Sequence, residues 1–201
     1  MSKPTDIKTR LSKIGLDYCG IADYSIVSGA VKFKDSIPNG IIGTEICDLA
    51  GNKTLIYAKN YNGWKQLLKI TSAANSKSDT CLDRHILDSL ITDDLLVIYL
   101  YEENSPKQDS YYGIDLNADN YVEIRRMAAA KNKKTVAVHS SFFSSPEDIE
   151  DFTILLSIAH NISSDIVRTE FYEIYKPSIY PCFFVFICSK WKIRSIESKR
   201  V

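Results

Sequence analysis

The stretch that decides the fold is GTEICDLAGNKTLIYAKNY, residues 43–61. Gly51 and Asn52 favour a tight turn, because both residue types tolerate the positive φ angles that hairpin loops need. Residues 55–58 are rich in the β-branched and aromatic side chains that suit a largely buried strand. The pattern predicts an antiparallel hairpin over residues 41–61.

Three charged residues of this hairpin form the candidate catalytic site: Glu45, Asp48 and Lys59. Carboxylates that face a lysine across a hairpin can hold a divalent cation and steady a phosphate, so Glu45 and Asp48 are the candidate metal ligands. A strand of this composition needs no lysine at its end for packing, which favours a functional Lys59. The same three side chains can equally form a solvated ion pair with no chemical role.

The predicted elements around the hairpin complete a mixed β-sheet flanked by helices. Residues 95–101 form a continuous apolar run, which is typical of a strand covered on both faces. Helices are predicted over residues 5–15, 63–70, 82–91, 116–131 and 145–161, and further strands over 18–27, 30–34, 135–139, 166–175 and 183–193. This order indicates an α/β or α+β fold. We expect a single domain over residues 1–201, with a hairpin-bearing half (1–94) and a C-terminal half (95–201).

The charge balance excludes a global electrostatic attraction to nucleic acid or to an anionic membrane. The 201 residues include 25 basic and 25 acidic side chains, which cancel. A nucleic-acid ligand would therefore need a local basic patch, and the sequence offers one candidate: Arg125, Arg126, Lys131, Lys133 and Lys134. The alternative is that these cations stabilise the C-terminus of the predicted 116–131 helix and keep the protein soluble, since positive charges there interact favourably with the helix dipole.

The cysteine and hydropathy patterns indicate in which cellular environment the protein is expected. Five cysteines are present without metal-type spacing, namely Cys19, Cys47, Cys81, Cys182 and Cys188. This pattern favours a reducing, cytoplasmic environment without a disulfide framework. The longest apolar run, residues 181–188, is too short to span a bilayer, and the first six residues lack the apolar core of a secretion signal, so no membrane partner is predicted.

The hairpin sequence resembles a family of uncharacterised bacterial proteins with a sporadic distribution. The resemblance lies in Glu45-Ile46-Cys47-Asp48-Leu49 followed by Leu55-Ile56-Tyr57-Ala58-Lys59, where the family has an acid before Cys-Asp-Leu and then a Leu-Ile-His-Val-Lys type strand. It covers about residues 41–140.

More broadly, the segment is similar to the core of PD-(D/E)xK nucleases, which place an acid on one strand and an acid-x-lysine on the next. The resemblance implies a restriction-endonuclease-like core, with Asp48 or Glu45 binding Mg²⁺ and Lys59 as the catalytic lysine. In such a site the metal activates water and offsets charge on the scissile phosphate. The sequence departs from this pattern at Tyr57, which stands where the second carboxylate is expected.

The register of the hairpin bears directly on this site. If Gly51 and Asn52 form a two-residue turn, Asp48 shares a face with Lys59 but lies about 13 Å along the strand. Glu45 then lies closer to Lys59 along the strand direction, but its side chain points to the opposite face of the sheet. A β-bulge, or a loop with an odd number of residues, would exchange the faces on which Glu45 and Asp48 lie.

Two functions from different classes follow. The first is a nuclease-like protein that cleaves or binds DNA or RNA with the help of Mg²⁺, and the resemblance suggests a role in phage defence or a mobile element. The second is a non-catalytic protein-interaction module with a protein partner, such as a toxin-neutralising, immunity or defence-associated binding protein. The first function is the leading hypothesis, and the second is the alternative, in favour of which stand the neutral charge and the missing second acid.

Overall fold

The structure is a computed structural model that describes residues 3–16, 19–76, 80–100, 110–115, 121–130, 132–138 and 148–168. The predicted mixed α/β class is confirmed. The strands are β1 (Gly20–Tyr24), β2 (Ile41–Asp48), β3 (Lys53–Ala58), β4 (Cys81–Leu82), β5 (Leu95–Leu100), β6 (Tyr111–Asp115) and β7 (Lys134–Val138). The helices are α1 (Pro4–Ile14), α2 (Ala30–Ser36), α3 (Tyr61–Ala74), α4 (Arg84–Leu90), α5 (Tyr121–Ala130), α6 (Ile149–His160) and α7 (Ser164–Ile166).

The strands form one mixed sheet with the order β1-β2-β3-β5-β6-β7. β2, β3 and β5 are antiparallel neighbours, whereas β1, β6 and β7 pair in parallel with their neighbours. The short strand β4 pairs in parallel with the end of β2, on the same edge as β1. The predicted hairpin is therefore confirmed, and so is the buried strand β5 of the same sheet.

Both faces of the sheet are covered by apolar side chains. On one face, α3 and α4 pack onto the hairpin and β5 through a cluster that includes Leu67, Ile70, Leu87, Ile46 and Ile56. On the opposite face, the buried residues include Leu55, Tyr57, Ile98, Leu100 and Val136. This alternation follows from the two-residue period of strands, which sends successive side chains to opposite faces. The hairpin consequently lies at the centre of the fold.

Helix α2 corrects the strand predicted for residues 30–34. Its apolar residues Ala30 and Phe33 are three apart and both buried, and Phe33 joins a cluster with Ile7 and Leu11 of α1. Contact with α1 therefore outweighs the β-propensity of this short segment. The strand predicted from residue 166 is also wrong at its start, because residues 164–168 are helical, and its remaining residues 169–175 lie outside the described part of the chain.

The helix boundaries follow local signals. α1 begins at Pro4 and ends at Ile14, and Gly15 after it has a φ of 73°, the left-handed conformation in which glycine often stops a helix. α3 begins after Asn60, whose side chain accepts a hydrogen bond from Gly63 N–H. Among the described residues, no helix has the length and apolar character needed to cross a bilayer.

Candidate functional site

The hairpin turn differs from the two-residue turn expected from Gly51-Asn52. Asp48 N–H donates to the Asn52 carbonyl at 2.9 Å, and Gly51 N–H donates to the Asp48 carbonyl at 3.0 Å. Gly51 has a φ of 86°, so residues 49–51 form a three-residue loop with glycine in the left-handed position. Cys47 therefore pairs with Lys53, and Glu45 with Leu55. Because the loop has an odd number of residues, Glu45 and Asp48 lie on the faces opposite to those expected. Glu45, and not Asp48, shares the face of Lys53 and Tyr57.

Asp48 is occupied by the turn itself. Its Oδ1 accepts hydrogen bonds from the backbone N–H groups of Ala50 and Asn52, both at 2.9 Å. Its Oδ2 accepts from Asn52 Nδ2 at 2.9 Å and lies 3.7 Å from Nη1 of Arg84 on α4. The side chain is only 5% exposed. These contacts identify Asp48 as the residue that holds the turn and ties it to α4.

The other two residues of the predicted site also have structural partners. Glu45 Oε1 lies 3.1 Å from Lys53 Nζ on the neighbouring strand. Lys59 Nζ donates to the backbone carbonyl of Asp93 at 2.9 Å, across an exposed contact. Each of the three charged side chains thus has a partner within the protein, and none needs a ligand to account for its presence.

The structure does not bring Glu45, Asp48 and Lys59 together. Asp48 is bonded to Asn52 at one end of β3, whereas Lys59 follows the other end, about 23 Å away at the usual rise per residue. Glu45 pairs with Leu55, about 13 Å from Lys59 by the same measure. Within the described ranges, no group of three or more His, Cys, Asp or Glu side chains is placed to hold a metal ion. The Mg²⁺ site and the catalytic role of these residues remain predictions.

Tyr57, at the position of the missing second acid, belongs to the core. It is 2% exposed and packs over Gly43, where an added Cβ would lie 2.5 Å from Tyr57 Cδ1. Burial raises the pKa of the Tyr57 hydroxyl well above its usual value, and the charge of Glu45 raises this pKa further. The phenol is therefore neutral and cannot replace a carboxylate as a metal ligand.

The predicted basic patch is described only in part. Arg125 and Arg126 are exposed on α5, and Lys134 is exposed at the start of β7, with its Nζ 5.6 Å from the centre of the Tyr111 ring. Lys133 is half-buried before β7, and Lys131 lies outside the described residues. Of the four described cations, Arg125 and Arg126 are on α5 and Lys133 and Lys134 are immediately before and at the start of β7, and three of the four are exposed.

A second group of reactive side chains lies where β1 ends and β4 begins, and the sequence did not predict it. The chain leaves β1 at Ser25 and enters β4 from Thr80, and both residues have positive φ angles, 54° and 51°. Ser25 Oγ donates to the Thr80 carbonyl at 3.1 Å, and Asn75 at the end of α3 donates to the Ser25 carbonyl at 2.6 Å. A left-handed threonine is strained because its side chain is β-branched. Such strain is often retained near functional groups.

Beside this junction, Cys47 of β2 and Cys81 of β4 are direct partners in the parallel register. The Tyr24 hydroxyl lies 3.9 Å from Cys81 Sγ. Cys47 and Cys81 are separated by more than thirty residues in sequence, so their spacing gave no signal. Only the pairing of β4 with β2 brings the two thiols together.

The fold and the hairpin define a mixed α/β protein with no assembled metal centre among its described residues. No protein-family model matches this chain, and no curated protein matches it by sequence. PsfC from Pseudomonas syringae matches with a TM-score of 0.44 and 9% identity, over 66% of this chain and 64% of PsfC. The match therefore spans slightly less than two thirds of PsfC.

A candidate metal-dependent phosphoesterase from Bifidobacterium adolescentis matches with a TM-score of 0.38 and 11% identity, over 81% of this chain and 80% of that protein. Similarity at this level, for either structure, does not establish a shared fold or a shared function.

Proposed function

We propose that this protein binds nucleic acid without cleaving it. The contacts of Asp48 are the observation that supports the absence of cleavage. Three hydrogen bonds and the nearby Arg84 already engage both carboxylate oxygens, so a metal ion would have to break the turn in order to bind. Hydrogen bonds to a charged group are worth about 1.5–3 kcal/mol each, which makes this exchange unfavourable.

The exposed arginines of α5 support nucleic acid as the ligand. Because the net charge is zero, any affinity for phosphates must come from a local group of cations. Arg125 and Arg126 are exposed at consecutive positions of α5, and Lys134 is exposed at the start of β7. Arginine suits this role because its planar guanidinium can donate two parallel hydrogen bonds to a phosphate.

We expect no Mg²⁺- or Mn²⁺-dependent cleavage of single- or double-stranded DNA or RNA by the wild-type protein. A Lys59→Ala variant should behave identically in this assay and should lose less than about 1 kcal/mol of stability, because it removes one exposed hydrogen bond. Metal-dependent cleavage by the wild type that disappears in a folded Lys59→Ala protein would contradict the proposal and restore the nuclease hypothesis.

We expect an Arg125→Ala/Arg126→Ala variant to bind a labelled oligonucleotide at least about tenfold more weakly than the wild type at low salt, because two phosphate contacts are lost. The dependence of affinity on salt should also become shallower. The matched control is Lys8→Ala/Lys13→Ala, which removes two exposed positive charges from α1. Equal losses in both variants would show that binding depends on total charge rather than on the α5 arginines.

The non-catalytic protein-interaction module remains the second candidate. One observation favours it: Ile154, Leu155 and Ile158 of α6 are 52%, 50% and 73% exposed. Adjacent exposed aliphatic side chains are a feature of protein interaction surfaces. If the wild-type chain neither binds nor cleaves any of the oligonucleotides, the nucleic-acid proposal fails and this second function is the one that remains.

A further inference from the structure

Cys47 and Cys81 have the geometry of a pair that can be cross-linked. They are direct partners on neighbouring parallel strands, so their Cα atoms lie about 4.8 Å apart and their side chains project from the same face. This separation falls within the range of about 4.4–6.8 Å that disulfides span. Both cysteines are free and only partly buried, so a small reagent can reach them.

The surroundings of Cys81 allow the small movements that the reaction needs. β4 consists of only two residues, and Thr80 before it has the left-handed φ of 51°. The backbone here is therefore held by few ladder bonds and stores local strain. The Tyr24 hydroxyl, 3.9 Å from Cys81 Sγ, can donate a hydrogen bond to a thiolate at that position.

We propose that Cys47 and Cys81 form a reversible disulfide by exchange with a low-molecular-weight disulfide of the oxidised-glutathione class. The Cys81 thiolate attacks one sulfur of oxidised glutathione, which forms a mixed disulfide and releases one glutathione thiolate. The Cys47 thiolate then attacks the Cys81 sulfur and releases the second glutathione. In total, the protein loses two protons and two electrons, and one oxidised glutathione becomes two reduced molecules.

The order of the two steps follows from the neighbours of the two thiols. The Tyr24 hydroxyl lies beside Cys81 Sγ and can donate a hydrogen bond to a Cys81 thiolate. The Cys47 thiol instead donates to the Asp48 carbonyl at 3.4 Å, a contact that requires its proton. Cys81 is therefore the first nucleophile, and Cys47, which is adjacent to the mixed disulfide, acts as the resolving thiol.

The disulfide would close a loop over residues 47–81, which contains the hairpin turn, β3 and α3. Closing a loop of this length restricts the unfolded chain, so oxidation should stabilise the protein. We expect the melting temperature to rise by about 5–10 °C on oxidation and to return on reduction with dithiothreitol. The effect should be independent of nucleic-acid binding.

The test uses the full chain, incubated with oxidised glutathione and then digested with trypsin under non-reducing conditions. We expect a cross-linked species that joins peptide 35–53, which contains Cys47, to peptide 78–84, which contains Cys81. Cys19 lies in a different tryptic peptide, 14–32, so its participation would be seen directly. The experiment is repeated with Cys182→Ser/Cys188→Ser, which should give the same cross-link.

The single variants Cys47→Ser and Cys81→Ser provide the matched controls. Neither should show the cross-link or the rise in melting temperature, and Cys47→Ser should accumulate the mixed disulfide at Cys81. The proposal is overturned if the wild type yields only mixed disulfides with glutathione, only links to other cysteines, or no change. It is also overturned if the Cys47→Ser protein shows the same rise in melting temperature as the wild type.

Discussion

Replacing Asp48 with alanine is expected to lower the free energy of unfolding by about 3 kcal/mol. The substitution removes the acceptor of two backbone N–H groups and of the Asn52 side chain, and it leaves Arg84 without one of its acidic neighbours. Each hydrogen bond to a buried charge contributes about 1.5–3 kcal/mol, although the contributions are not additive. Chemical denaturation at 25 °C, followed by circular dichroism, measures the loss.

Asp48→Asn is the matched control for this prediction. The amide retains an oxygen for the two backbone donors of the turn, but it loses the negative charge near Arg84 and the second acceptor oxygen. We therefore expect an intermediate loss of about 1–2 kcal/mol. A metal ligand would behave differently: both variants would keep nearly full stability in the absence of metal and lose only metal-dependent properties. That result would contradict the structural role assigned to Asp48.

Replacing Gly63 with alanine is expected to cost at least about 2 kcal/mol. The start of α3 lies so close to the turn before β5 that a Cβ on Gly63 would collide with the backbone carbonyl oxygen of Asp94 and approach Ala58 Cα to 3.2 Å. Backbone atoms cannot rotate away, so α3 would have to move off the sheet or the turn would have to deform. Gly63 is therefore required for close approach and not for a special φ angle.

The measurement is again denaturation at 25 °C, with Asn62→Ala as the control. Asn62 precedes Gly63 in the same turn of α3 but is exposed, so its substitution should change stability by less than about 0.5 kcal/mol. Similar losses in both variants would show that the loss does not come from the contact with Asp94, and helix propensity could not explain it either, because alanine is a better helix former than asparagine or glycine. A Gly63→Ala protein as stable as the wild type would show that α3 can shift without cost.

Much of the architecture could be predicted from the sequence because it rests on local signals. The β-rich run and the turn residues predicted the β2–β3 hairpin, and the unbroken apolar run predicted the buried strand β5. α2 could not be predicted, because its helical form depends on the burial of Phe33 against α1. Short segments have weak local preferences, and tertiary contacts decide them.

For the candidate site, the sequence determined which chemical groups the hairpin contains, and the tertiary structure decided where they point. Turn composition located the turn, but only the three-residue loop with Gly51 in the left-handed conformation fixed the register that separates Glu45, Asp48 and Lys59. A change of one residue in a strand register exchanges the two faces, and local composition cannot specify it. The contact between Cys47 and Cys81 likewise exists because β4 pairs with β2, on the edge of β2 that β1 also occupies. This pairing depends on packing between segments that are distant in sequence.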